Sequence, residues 1–488
     1  MDAIQTEPQA PARIPRNHIQ KPQGPNRIRR LANIQPNGKH HMEIEVPYKA
    51  RRIVELLERN GHEAYLVGGW VRDSIMGRPG ADIDIATDSL AAETSRILED
   101  AGMAVYPTGI AHGTVTAVFH GESFEITTFR VDGAYSDSRH PDSVTFCTSI
   151  EKDLSRRDFT INAMAYNPRT GLVDPYGGQA DIGSKTLRCV GEPDKRFSED
   201  ALRIMRALRF SAQLGFCIDE TTSGSLVAHR ELLRQISAER VGKEFELLVA
   251  EDAAADILEE YTSVFEVIIP EITPTIGMDQ HNPLHTYDVW RHSTEALRMQ
   301  KSHDEATRLA TLFHDMGKPV VEDPSKGDYR FAGHAEAGAE ICRKALRRLR
   351  FKRKVIDDAS AVIAAHDNRF DASDADVRKW MGRLGRETFF RTLDLKEADI
   401  LAHGRQAACW VNRISDIRAC AQEALAKDEP YRVVDLAIDG SDLIGAGFEP
   451  GPGIGQTLEE LLKAVIDGDC ANERQALLER ANGSNAKR

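Results

Sequence analysis

Apolar positions along this chain recur with two different periods, and the change of period divides it. The segment YKARRIVELLERNG has the spacing of an amphipathic helix. AYLVG is a short apolar run that predicts a buried strand, WVRDSIMG predicts a short helix, and ADIDIAT alternates strictly as a half-buried strand does. AAETSRILEDAG returns to helical spacing, and TVTAVFHGESFEITTFR alternates on both sides of HGES, which predicts a hairpin. Residues 42–186 therefore read as a small mixed α/β domain. From 187 to 275 the pattern is helical, as in SEDALRIMRALRFSAQLG and SAERVGKEFELLVAED, and strand signals nearly vanish. Residues 276–425 stay helical and hold half of the sixteen histidines, while 426–488 place the turn GAGFEPGPGIGQ before a helix TLEELLKAVIDG. Residues 1–41 are rich in Pro, Gln, Asn and Arg without apolar periodicity and predict a disordered basic tail. No internal repeat is visible.

Composition narrows the class. With 41% hydrophobic and 28% charged residues the chain has the make-up of a globular protein. No apolar run approaches the roughly 20 residues of a membrane span, and the polar start has no signal-peptide core, so the expectation is a cytoplasmic protein with no membrane partner. Seven cysteines without a CxxC pair predict reduced thiols rather than a disulfide frame or zinc knuckle. A net charge of −13 argues against a protein that coats nucleic acid, yet leaves room for a local basic groove. The run RKALRRLRFKRK, residues 343–354, is a candidate for gripping RNA and equally reads as a solvated helix face. Nothing in the sequence indicates an oligomeric state.

Candidate chemistry starts at YLVGGWVRDSIMGRPGADIDIATD. Strand alternation puts Asp82 and Asp84 on one face and Ile83 and Ile85 on the other. Two carboxylates so crowded repel one another unless a divalent cation lies between them, and Mg²⁺ favours one or two carboxylates together with substrate phosphates. Gly68 and Gly69, at the strand-to-helix turn, would let phosphate oxygens approach the backbone, and Glu125 in SFEITTFR is a candidate third carboxylate. In RRDFTINAMAYN, Arg156 and Arg157 suit phosphate, Asp158 and Asn162 suit a ribose hydroxyl, and FTINAMAY looks strand-like. A helix over 198–210, capped by Ser198, would align Asp200, Arg203, Arg206 and Arg209 at steps of three. Three arginines against one aspartate are too positive for a closed ladder. A nucleobase is the better partner: an Asp200/Arg203 pair would accept from the exocyclic amine of cytosine or adenine and donate to the ring nitrogen beside it, rejecting uracil and guanine without a template.

The order of LVGGWVRD, DIDIATD, FEITTFR, DLSRRDFTINAMAY and EDALRIMRALRFSAQLGF resembles the class II tRNA nucleotidyltransferases, the CCA-adding enzymes, and their relatives the bacterial poly(A) polymerases, over about residues 45–270. The resemblance implies an α+β multidomain chain with a DNA polymerase β-like head followed by an all-helical neck and body. It implies that Asp82 and Asp84 hold Mg²⁺ and that Gly69, Arg72 and Arg157 contact the nucleotide. Asp158 would contact the ribose, and Asp200 and Arg203 would read the base with Arg206 and Arg209 assisting. The implied substrates are tRNA, CTP and ATP. A poly(A) polymerase, or an enzyme adding only CC or only A, would share the same motifs.

A second constellation runs from His292 in YDVWRHS through His314 and Asp315 in LATLFHDMGKP to His334, His366 and Asp399. It resembles the HD-domain phosphohydrolases over about 281–403. That resemblance implies a divalent metal such as Ni²⁺, Mn²⁺ or Mg²⁺ on His292, His314, Asp315 and Asp399, with His334 and His366 at positions that serve a second metal in some members. Hydrolysis of terminal or 2′,3′-cyclic phosphates at RNA 3′ ends is the activity expected of such a site. His285 and Asp288 read as structural. A rival reading makes this half the enzyme and the head a regulatory nucleotide-binding module; a non-enzymatic RNA-binding protein fits the net acidity least.

Overall fold

The computed structural model describes residues 44–485 apart from 79, 81, 134–143, 281–285, 324–330 and 404–407, so the tail expected over 1–41 and His285 lie outside the described residues. Helix α1 (Tyr48–Arg59) buries Ala50, Ile53, Val54 and Leu57, spaced to form one stripe. It leads into β1 (Ala64–Val67), α2 (Gly69–Ile75), β2 (Asp84–Thr87) and α3 (Ala91–Asp100). Strands β3 (Ala104–Gly109), β4 (Thr114–Phe119) and β5 (Glu122–Thr128) follow as a meander, and β6 (Arg130–Asp132) pairs separately with β7 (Val144–Phe146). After α4 (Ile150–Ser155), β8 (Ala165–Asn167) and β9 (Gly171–Val173) complete a seven-stranded sheet in the order β3-β4-β5-β2-β1-β8-β9. Strands β2 and β5 run parallel and their neighbours antiparallel. Leu66, Ile85, Phe124 and Ile126 turn one face of the sheet toward α1 and α3, where they share a core with Leu57 and Leu98. On the opposite face Val67, Ala86 and Ala165 pack with Ile150 and Leu154 in a second, smaller core.

Local chemistry adjusts the expected elements. The β4–β5 turn is His120–Gly121 alone, both with positive φ, a two-residue hairpin turn tighter than HGES. FTINAMAY is not a continuous strand: Thr160–Asn162 form a 3₁₀ turn before the short β8. The cause is competition for the backbone, since Asp158 Oδ1 accepts from the Phe159 N–H and from Asn162 Nδ2.

At the expected boundary, α5 (Gly178–Ser184) precedes β10 (Thr186–Leu187), which pairs with β11 (Cys217–Ile218), so strand pairing continues into the helical segment. The helix predicted over 198–210 is two helices, α6 (Pro193–Glu199) and α7 (Leu202–Leu214). Asp200 is extended between them, and its Oδ1 accepts the Leu202 N–H, so Asp200 opens α7 while Ser198 donates to Asp194 O inside α6. Helices α8 (Glu220–Ala228), α9 (Ala238–Val249), α10 (Ala254–Glu260) and α11 (Thr262–Ile268) complete the neck. Next come α12 (Val289–Met299), α13 (Glu305–Phe313), α14 (Lys318–Val321), α15 (His334–Arg348), α16 (Arg353–Ala365), α17 (Asp374–Leu384), α18 (Arg386–Ala402) and α19 (Ala408–Ala426). One apolar cluster runs from Phe159 through Leu248 and Phe313 to Leu395, so packing is continuous across position 276. Residues from Leu436 to Ala481 pack as a cluster of their own. No helix among the described residues is long and apolar enough to cross a membrane.

Candidate active site and a second histidine cluster

Strand β2 begins at Asp84 rather than at 81, but the alternation extends beyond it: Asp82 and Asp84 are exposed while Ile83 and Ile85 are buried. The parallel register sets Glu125 beside Asp84, so all three carboxylates share the sheet face away from α1 and α3. The Asp84 carboxyl is pushed up by desolvation, and the like charges of Glu125 and Asp82 add to this against the pull of Arg157. Gly68 sits at φ 72, and a Cβ there would come 3.0 Å from Arg157 Nη1 and 3.7 Å from Asp84 Oδ2. The strand-to-helix turn thus closes directly on a guanidinium and a carboxylate. Arg157 Nε is buried without a hydrogen-bond partner among the described residues, and its nearest counter-charge, Asp153 Oδ2, is 3.5 Å from Nη2.

Beside this turn lies a cleft of about 220 Å³ lined by Arg156, Arg157, Asp158, Asp200, Arg203 and Arg206. Asp200 and Arg203 both line it, but their first partners are within the protein. Arg240 reaches Asp200 Oδ2 at 3.2 Å, and Arg203 donates to Glu199, Arg196 O and Arg156 O. Asp158 accepts a two-pronged bond from Arg206 at 2.6 and 2.9 Å, which holds its carboxyl down at about 2 despite its burial. The arginine row is therefore neutralised from other elements, by Glu199, Asp158 and Glu244, contrary to its expected surplus of positive charge.

Two expected contacts move out of the cleft. Arg209 does not line it: each step of three turns 60° short of a full rotation, so by Arg209 the row has wound onto α9, where Nε meets Glu244 at 2.5 Å. Asn162, 6% exposed, points inward, donating to Asp158 and accepting from Arg72. Arg72 is likewise buried and held by Asp73 and Asn162.

The second cluster is assembled by α12, the end of α13, the start of α15, the end of α16 and α18. His292 Nε2 lies 2.8 Å from Asp399 Oδ1 and 3.8 Å from Asp315 Oδ2, and His314 Nε2 lies 3.2 Å from Asp315. Asp315 Oδ1 is 3.5 Å from His334 Nε2 and 3.9 Å from His366 Nε2. His314, His334 and His366 each place Nδ1 against the backbone oxygen three residues earlier, at 2.8, 2.9 and 2.6 Å. Those bonds hold a proton on each Nδ1 and turn each Nε2 inward, as in metal-ligating histidines. Two such nitrogens, on His334 and His366, face each other at 3.1 Å, and the buried His314 Nε2 has no hydrogen-bond partner among the described residues. This donor set fits divalent cations, with Asp315 shared between His292/His314 and His334/His366. Burial opposes charge on His314, yet Asp315 and Asp399 push it up to about 10, while burial and then the charge of His314 push His366 down to about 3.

Two members of this cluster escaped the sequence reading. His403, one helical turn after Asp399, groups with His292 and Asp399. Lys318 is buried with Nζ 2.6 Å from Asp315 Oδ2 and 2.7 Å from Gln280 Oε1. Their spacings, i+4 from Asp399 and i+3 from Asp315, were the available signal. Asp288 is structural as expected, capping α12 through the Arg291 N–H. The basic run over 343–354 is largely neutralised, with Arg343 on Glu340, Arg348 on Glu271, Arg350 on Glu239, Arg353 on Asp357 and Lys354 on Asp358.

Residues 64–188 match the family described as Poly A polymerase head domain, 215–276 that described as a probable RNA and SrmB-binding site of polymerase A, and 333–481 a putative tRNA nucleotidyltransferase domain 2. The CCA-adding enzyme of Geobacillus thermodenitrificans is 35% identical over 88% of this chain and 95% of its own length. That of Latilactobacillus sakei is 32% identical over 89% and 97%. The crystal structure of the Bacillus stearothermophilus CCA-adding enzyme with CTP superposes with a TM-score of 0.66 at 29% identity, covering 91% of this chain and 99% of that one. A Thermotoga maritima CCA-adding enzyme complexed with tRNA shares the fold, with a TM-score of 0.57 at 21% identity over 90% and 96%.

Proposed function

The chain belongs to the CCA-adding enzymes, which are tRNA nucleotidyltransferases, and from that premise we propose that it builds the CCA end of tRNA from CTP and ATP on the open sheet face of the head. The observation that carries this reading is the β2–β5 register, which ranges Glu125 beside Asp84 and Asp82 next to the Gly68 turn and Arg157. Asp82, Asp84 and Glu125 would hold Mg²⁺. A bound ion would polarise the α-phosphate and acidify the attacking 3′-hydroxyl, with pyrophosphate as the leaving group. Arg157, whose Nε has no partner among the described residues, binds phosphate beside the Gly68 turn. Asp200 and Arg203 present one acceptor and one donor to the base edge, and Glu199, Arg240 and Arg156 O pre-set their orientation. The described cysteines are all free thiols, which supports a cytoplasmic setting. The test offers a tRNA lacking its CCA end with CTP alone, ATP alone, and both. Extension that stops after three nucleotides with both is the expected result; long tails from ATP alone would favour a poly(A) polymerase, and arrest after C or after A alone a partial CCA adder.

The facing Nε2 atoms of His334 and His366 favour a second activity, a metal-dependent phosphohydrolase on the same chain. His292, His314, Asp315 and Asp399 would hold one divalent ion such as Ni²⁺, Mn²⁺ or Mg²⁺, and Asp315, His334 and His366 a second. Its substrates would be 2′,3′-cyclic or terminal phosphates at RNA 3′ ends, whose removal exposes the hydroxyl that the head requires. Metal-stripped protein should lose hydrolysis of a cyclic phosphodiester and regain it with one of these ions. Wild-type protein inactive with all three would leave the cluster a structural one.

A further inference from the structure

We propose that Asn162 is a positioning residue that couples base reading in the cleft to the glycine turn where the triphosphate sits; this rests on the reading above that the cleft selects the base. Five side chains form an unbroken chain between the two places. On α7, Arg206 grips Asp158 Oδ2 at 2.6 and 2.9 Å. The other oxygen of Asp158 accepts from Asn162 Nδ2 at 3.2 Å, and Asn162 Oδ1 accepts from Arg72 Nη1 at 2.8 Å. Arg72 Nε and Nη2 then fork onto Asp73 at 2.9 and 3.0 Å, and its Nη2 is 3.6 Å from where a Cβ on Gly69 would lie.

The chemistry of the middle link is specific. It must donate to a carboxylate on one side and accept from a guanidinium on the other, which a side-chain amide does and a carboxylate or alkyl group cannot. The link is buried, so no water replaces it at low cost. The ends are also tied, since the guanidinium carbons of Arg72 and Arg206 each lie 5.2 Å from the centre of the Phe210 ring. A base that draws on Arg206 therefore pulls Asp158, and through the amide it shifts Arg72 behind the turn.

A double-mutant cycle tests this. R72K and R206K, singly and together, are read as the ratio of C to U incorporation into tRNA, in the wild-type, N162A and N162D backgrounds. The expected result is non-additivity of about 5–150-fold with Asn162 present, vanishing in both variants. N162D retains the acceptor for Arg72 but loses the donor to Asp158, and it decides alone should N162A not fold. A merely structural Asn162 would lower the melting temperature and leave the non-additivity unchanged; that result, or additivity in the wild type, overturns the proposal. R206K that leaves the C-to-U ratio at the wild-type value would instead remove Arg206 from base reading, and the coupling with it, while leaving the Asp200/Arg203 assignment to its own test.

Discussion

Asp82, Asp84 and Glu125 stand side by side at an open sheet face with Arg157 as their cationic neighbour, whereas Asp315 and Asp399 are enclosed by histidines and by Lys318. The consequence appears in their acidities. Desolvation and like charge push Asp84 up, while Asp315 and Asp399 are held well below the usual carboxylate range, in spite of burial, by His314, Lys318 and His292. The head therefore has an unmet demand for positive charge at its surface, suited to a cation that arrives with a phosphate and leaves with pyrophosphate. The histidine cluster carries much of its counter-charge within the fold, suited to a resident ion.

The comparison breaks most visibly at Lys318. Removing a buried cation strands its carboxylate, at a cost of about 3–5 kcal/mol. K318M should lose that stability in chelator, by urea titration, and Mn²⁺ or Ni²⁺ should restore more of it than either adds to wild type. An unchanged midpoint would mean that His314 alone balances Asp315.

Asp158 gives a pH-dependent counterpart in the cleft. Its folded pKa, about 2 against an ordinary 3.8, is depressed, so its stabilisation is full above pH 3.8 and is lost as pH falls through 2. The difference amounts to about 2–3 kcal/mol. The stability gap between wild type and D158N should therefore shrink between pH 4 and pH 2; a constant gap would place the Arg206 bond outside the stability of the fold.

Exchanging Asp200 and Arg203 (D200R with R203D) should reduce C and A use and favour U or G by about 1–3 kcal/mol, measured as relative incorporation of the four nucleotides. Unchanged selectivity would show that another surface reads the base. Smallest of all, R209Q should leave selectivity at the wild-type ratio, because Arg209 is turned onto Glu244. A shift in that ratio would bring Arg209 back into the cleft.

What the sequence made legible was local. The β1–turn–α2 unit and the alternation of Asp82, Ile83, Asp84 and Ile85 follow from period and glycine placement, and the structure retains both. Glu125 was identifiable as a candidate, but its place beside Asp84 depends on the parallel pairing of strands nearly forty residues apart. The break at Asp200 was missed because a single extended aspartate ends one helix and holds the Leu202 N–H at the start of the next, so hydrophobic spacing ran through it unaltered. The partners of the arginine row were hidden for a similar reason: Asp158, Arg240 and Glu244 come from other elements. Lys318 and His403 were open to inspection by helical spacing alone.

The central claim, that nucleotidyl transfer occurs on the carboxylate face of the head, is tested most directly with D84N, assayed for extension of a CCA-less tRNA by CTP and ATP beside wild type. Extension should fall on the order of 10³-fold, the scale of losing a preorganised charge at the reacting phosphate, with the melting temperature held or raised because the repulsion of Glu125 and Asp82 has been relieved. Three-nucleotide extension by folded D84N at the wild-type rate would contradict the account.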